Sequence, residues 1–183
     1  QVEHWYFQEH PQYHMFLHPD LPSYEVQMAA RNRMLDRNPR LHFMGAHMAS
    51  LEWSITELAR FLDRYPLAVV DLAARMGQVQ YQSNRDHAAV RAFFIRYQDR
   101  LLYGTDLTQD ASAEPGTMRK EAHGRWLSDW IYFNTAQTQS VAELDAPVVG
   151  LGLPRGVIDK LYHRNAERLF GTVWWPAGTA GAK

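Results

Sequence analysis

Leu41-His42-Phe43-Met44-Gly45-Ala46, Leu67-Ala68-Val69-Val70-Asp71-Leu72 and Leu101-Leu102-Tyr103-Gly104 are the three short apolar runs on which the fold turns. Each has the length of a buried strand, and the second is apolar on both faces, as an interior strand of a parallel sheet should be. Between them lie helical patterns. The spacing predicts a helix over Leu51–Arg64, with Leu51, Ile55, Leu58 and Leu62 on one face and Tyr65-Pro66 ending it. A polar loop follows the second run and leads to a helix over Asp86–Tyr97, whose stripe is Val90, Phe93, Phe94 and Tyr97. Strand, helix, strand, helix, strand reads as parallel β/α units joined by right-handed crossovers.

On the N-terminal side, residues 1–22 are rich in aromatics and His, with prolines at Pro11, Pro19 and Pro22, and read as an extended excursion. Ser23 is the expected N-cap of a helix over Tyr24–Arg37, closed by Asn38-Pro39. On the C-terminal side, a loop containing Gly, Pro and Ser runs from Asp106 to about Thr117. A helix over Met118–Phe133 follows, with His123, Trp126, Trp130 and Phe133 along one face. A last helix opens at Pro154, a good first-turn residue, and closes at Gly171. One unit over residues 1–171 with a tail over 172–183 is the expected organisation.

Composition narrows the function classes. A formal net charge of -1 over 183 residues gives no electrostatic footprint for nucleic acid or an anionic membrane surface, so neither is an expected partner. No apolar run approaches the roughly 20 residues that span a bilayer. With 0 cysteines any metal must be held by His and carboxylates, and the same absence fits a reducing, cytoplasmic setting. The chain opens at Gln1 without an initiator Met, which is expected of a processed chain or of a piece of a longer one.

Parallel β/α architectures place their chemistry where strands end and βα loops begin. The first run delivers Gly45-Ala46-His47, the second Asp71 and then Arg75, the third Gly104-Thr105-Asp106. His47 and Asp106 suit a hard-metal ligand pair or a general acid/base pair. They suit plainer duties too, His47 as a hydrogen-bonded structural residue and Asp106 as a helix N-cap. Arg75 could fork onto a substrate carboxylate or form a structural ion pair. Trp53 could wall a pocket but suits ordinary packing better. Trp126 and Trp130 read as core rather than ligand cage, His42 as a residue packing between barrel and helix, and Asn165 as a structural residue bonding backbone near the strand ends.

Phe43-Met44-Gly45-Ala46-His47, Arg64-Tyr65-Pro66 before Val69-Val70-Asp71-Leu72-Ala73-Ala74-Arg75, and Tyr97-Gln98-Asp99-Arg100-Leu101-Leu102-Tyr103-Gly104-Thr105-Asp106 resemble the second half of the amidohydrolase-related family. Gly152-Leu153-Pro154 through Tyr162-His163-Arg164-Asn165-Ala166-Glu167-Arg168-Leu169-Phe170-Gly171 is similar to that family's C-terminal helix. The likeness covers roughly residues 23–171, in the family's order and spacing. It implies the C-terminal part of a (β/α)8 TIM barrel, the three runs being its sixth, seventh and eighth strands. It implies that Asp106 binds a divalent metal, zinc being the expected ion, and relays the proton of a metal-activated water. It implies that His47 is a further ligand or an acid/base residue; Arg75, by its place after the second run, remains the candidate substrate-binding residue.

The family's His-x-His after its first strand and the histidine of its fifth have no counterpart, and His10, His14 and His18 are not placed to supply them. Three strands do not close a barrel that takes about 250 residues. Unpaired strand edges invite association, so a homo-oligomer, or the company of the rest of the barrel, is expected. The leading expectation is a metal-dependent hydrolase of a small carbonyl or carboxylate compound. The alternatives are a non-oxidative decarboxylase of the same family, a non-catalytic half-barrel that works by association, and an α/β enzyme that uses the same strand ends without metal.

Overall fold

A computed structural model describes residues 8, 10–13, 17–109, 111 and 114–174. It divides into two compact units, residues 1–42 and 43–183. In the first, Pro11–Tyr13 form a 3-10 turn and Tyr24–Arg37 form helix α1. The Ser23 hydroxyl accepts the Val26 N–H, and Asn38 closes the helix through its N–H to the Leu35 carbonyl, as the capping signals predict.

The second unit is built on a three-stranded parallel sheet of β1 (Phe43–Gly45), β2 (Ala68–Asp71) and β3 (Leu101–Leu102), in the order β1-β2-β3. All three are shorter than the apolar runs that announce them. Leu41 and His42 fall outside β1, and both are exposed, so His42 does not pack between sheet and helix. Helix α2 spans Ile55–Arg64 rather than Leu51–Arg64, because Ser54 takes the N-cap by accepting the Glu57 N–H and residues 47–50 form a turn of the opposite hand. Its buried face is Leu58, Phe61 and Leu62, with the Phe61 ring 6.1 Å from that of Phe43.

The polar loop expected after β2 is helix α3 (Met76–Arg85). Its buried side carries Gln78, Gln80 and Ser83 beside Met76 and Val79, so no apolar period marks it. Gln82 of this helix donates to the Glu52 carbonyl and accepts the Ile55 N–H, both at 2.8 Å, and so supports the start of α2. Helix α4 (His87–Arg96) follows, capped by Asp86 and buried through Val90, Phe93 and Phe94. At the N-terminal ends of the strands the Arg100 guanidinium donates to the carbonyls of Ala68, Leu62 and Tyr65, joining β2 to the end of α2.

Helix α5 (Pro115–Asn134) has Pro at its first position and buries Ala122, Asp129, Tyr132 and Phe133. The His123-Trp126-Trp130 stripe is not its core face, because Trp126 is 52% exposed. A two-stranded antiparallel hairpin, β4 (Thr138–Gln139) and β5 (Val148–Val149), is absent from the sequence reading because each strand is only 2 residues long. The C-terminal helix starts after Pro154 as α6 (Arg155–Asp159), widens into a π turn over Lys160–Arg164 and continues as α7 (Asn165–Trp174), running past Gly171. The remainder of the tail lies outside the described residues.

That helix answers the expectation of bare strand edges on one side. Residues 100 and 102 of the third strand segment turn their carbonyls to β2, accepting from Val70 and Leu72 at 2.9 Å. Residues 101 and 103 therefore face away from β2. The Tyr103 N–H donates to the Leu161 carbonyl of the π turn at 2.9 Å, and the Asn165 amide donates to the Leu101 carbonyl at 2.8 Å and that of Gln98 at 2.7 Å. The outer edge of β3 is covered by a helix, one of the ways proteins blunt an edge. Asn165 is 2% exposed, so Asn165→Ala leaves two carbonyls short of a donor and is expected to lower unfolding free energy by about 2 kcal/mol, read as a shifted urea midpoint.

Candidate active site

His47 lies two residues past the end of β1 and sits in an unusual backbone. His47, Met48, Ala49 and Ser50 all have positive φ, between 53° and 57°, forming a left-handed turn with Ser50 N–H to His47 carbonyl and Leu51 N–H to Met48 carbonyl bonds of 3.1 Å. Left-handed helical backbone costs L-residues roughly 1–2 kcal/mol each, so the surroundings must impose it. Met48 at 0% and Ala49 at 5% exposure anchor the turn in the core. Gly45 makes room for it, since a Cβ there would lie 2.5 Å from that of Ala49. The other two strand ends carry positive φ as well, at Ala74 (52°) and Asp106 (59°).

These turns converge. His47 Nε2 lies 3.9 Å from Asp106 Oδ2, with the side chains 36% and 54% exposed, so the pair opens to solvent. They come from β1 and β3, on either side of β2. The capping duty open to Asp106 from sequence is not the one it performs, because the next helix begins at Pro115 behind Glu114. The His47 ring is oriented from behind, with Nδ1 2.8 Å from the Ala73 carbonyl. A carbonyl only accepts, so Nδ1 carries a proton, and the ring's other nitrogen, Nε2, is the one turned towards Asp106.

Arg75 heads α3, with Nε 3.5 Å from Glu52 Oε1 and Nη1 donating to the Ala74 carbonyl at 2.9 Å. The ion pair weighed for it from sequence is thus present. Trp53 is 44% exposed. The donor chemistry and spacing of His47 and Asp106 fit two positions around a divalent cation, where tetrahedral zinc would set nitrogen and oxygen roughly 3.4 Å apart. The ring N–H bonded to a backbone carbonyl is also the usual support of a metal-binding histidine. Among the described residues no group of three or more His, Asp or Glu is placed to hold a metal.

A second polar centre, not foreseen from sequence, lies where the chain leaves β3 against the C-terminal helix. Tyr103 follows β3 directly, and its ring packs among helices, 4.4 Å from Tyr162 and 6.5 Å from Phe133. Its hydroxyl donates to Asp129 Oδ2 at 2.8 Å. With His123, Trp126, Leu127, Trp130 and Tyr162 it lines a cavity of about 420 Å³, so Trp126 and Trp130 wall an open groove rather than the core. Asp129 sits in the largely apolar stretch 126–133 of α5, three and four residues before the buried Tyr132 and Phe133.

An amidohydrolase family profile matches residues 5–172. The chain belongs to the amidohydrolase family. No curated protein and no solved structure matches it. Membership supports a hydrolase- or decarboxylase-type function. No helix among the described residues is long and apolar enough to cross a membrane.

Asp129 gives this centre a pH signature. Burial pushes its carboxyl up from 3.8 to about 6, against the opposing pull of the Tyr103 hydroxyl and Arg125, while Glu143 adds to the rise. Burial likewise raises Tyr103 and Tyr162. Between pH 4 and 6 the unfolded chain has released the Asp129 proton while the folded chain keeps it. This group's contribution is therefore full below about pH 4 and is lost as pH rises through 6, a swing of about 3 kcal/mol. Asp129→Asn keeps an acceptor for Tyr103 and removes the titration. Urea midpoints across pH 4–8 are expected to show the variant gaining on the parent as pH rises.

Proposed function

We propose that this amidohydrolase chain contributes part of the reaction centre of a metal-dependent hydrolase acting on a small carbonyl or carboxylate compound. The observation that carries the proposal is the meeting of His47 Nε2 and Asp106 Oδ2 at 3.9 Å from two strands separated by a third. Asp106 offers one carboxylate oxygen to a divalent cation, zinc being the expected ion, and His47 offers its Nε2 lone pair as a second ligand. The cation, when bound, would acidify a water and polarise the substrate carbonyl. Asp106 takes the water's proton on its other oxygen and passes it to the leaving group. Arg75, held by Glu52 and the Ala74 carbonyl, is the proposed contact for a substrate carboxylate. A small-molecule substrate and a homo-oligomeric state belong to the same proposal.

Zinc titration followed by the imidazole resonances tests it. His47 is expected to respond before the other histidines. Asp106→Asn keeps size and shape but removes the charge facing the cation, and is expected to weaken zinc binding at His47 by at least about tenfold with unchanged circular dichroism. Equal zinc affinity in the variant would remove Asp106 from the ligand set.

A further inference from the structure

We infer that Asp71 is the positioning residue of this site, the group that sets how His47 presents its Nε2 atom; the inference rests on the reading of His47 as a working side chain. Asp71 ends the middle strand, its Cα paired with Leu102 of β3, one residue beyond Val70, which pairs with Gly45 of β1. It therefore stands between the strand that delivers His47 and the strand that leads to Asp106. Its Oδ1 atom accepts two backbone N–H groups, that of His47 at 2.8 Å and that of Ala73 at 3.1 Å.

The two bonds act on His47 from both ends. The first holds the backbone of His47 at the entry of the left-handed turn. The second holds Ala73, whose carbonyl accepts from His47 Nδ1 at 2.8 Å and so decides the ring's tautomer and tilt. One carboxylate oxygen thus closes a ring of hydrogen bonds running Asp71 to His47 backbone, His47 ring to Ala73, and Ala73 back to Asp71. Without it, the main chain under His47 and the acceptor behind its ring each lose a hydrogen bond, and the imidazole is freer to place its proton on Nε2. Asp71 acts through position rather than charge, because both of its contacts are neutral backbone donors.

This distinction makes the inference testable with two variants. An Asn side chain has an Oδ1 atom in the same place and can accept both N–H groups, whereas Ala has none. In ¹⁵N-labelled full chain, long-range ¹H–¹⁵N spectra are expected to show His47 as the Nδ1–H tautomer in the parent and in Asp71→Asn. In Asp71→Ala that signature is expected to be lost, and His47 to bind Zn²⁺ alone about tenfold or more weakly. An unchanged His47 tautomer in Asp71→Ala overturns the inference. So does a lost tautomer in Asp71→Asn, which would mean that charge is what matters. If Asp71→Ala loses its fold by circular dichroism, the Asn variant decides alone by keeping or losing the signature. Absence of zinc binding in the parent, with the tautomer pattern as expected, would sink the proposed function and leave the role of Asp71 standing.

Discussion

The parallel register of three strands is the constraint on which the rest of the second unit depends. Phe43, Met44 and Gly45 lie opposite Ala68, Val69 and Val70, and Val70 and Asp71 lie opposite Leu101 and Leu102. Parallel pairing requires each chain to return to the same end before the next strand begins, so helices are forced into every connection and all strand ends point one way. Gly45, Asp71 and Leu102 therefore finish along one rim, and the residues that follow them meet although 59 positions separate His47 from Asp106. Arg100 secures the opposite rim, where its guanidinium gathers carbonyls from β2 and the end of α2.

The second unit carries its polar chemistry at two places, the strand-end rim and the outer edge of β3. On one, His47 and Asp106 stand exposed enough to meet a solute, and all three strand ends carry backbone in the left-handed region. Strain of this kind persists where surrounding packing and hydrogen bonds hold it, and it gathers at sites that need fixed geometry. On the other, the Tyr103 hydroxyl meets Asp129 among aromatic rings, and the outward backbone groups of this segment are taken up by Leu161 and Asn165. The π turn matters here, since it lies where the Leu161 carbonyl meets the Tyr103 N–H.

Much of the fold could be read from periodicity. Helix α1 matches its expected bounds because capping chemistry is local, with Ser23 and Asn38 acting on residues three positions away. The strands were legible as apolar runs but not in length, since pairing partners rather than composition decide where a strand stops. Helix α3 was hidden because it buries Gln78, Gln80 and Ser83, polar residues that look like loop until their surroundings are known. The β4–β5 hairpin left too short a pattern to see. The stripe on α5 was read as core because Trp is usually buried, yet it lines a groove.

From residue order alone came the β/α alternation, the family likeness, and the choice of His47 and Asp106 as the polar residues that follow strands, because these depend on local pattern and on direction along the chain. Tertiary structure alone decided that the two side chains meet, that one of them rides a left-handed turn, that Asp71 turns inward to hold it, and that Asp129 is buried. Those outcomes belong to pairs of residues 24 and 26 positions apart in the cases of Asp71 with His47 and Tyr103 with Asp129. No local propensity encodes such distances; they follow from the register of the sheet and from what the helices leave room for.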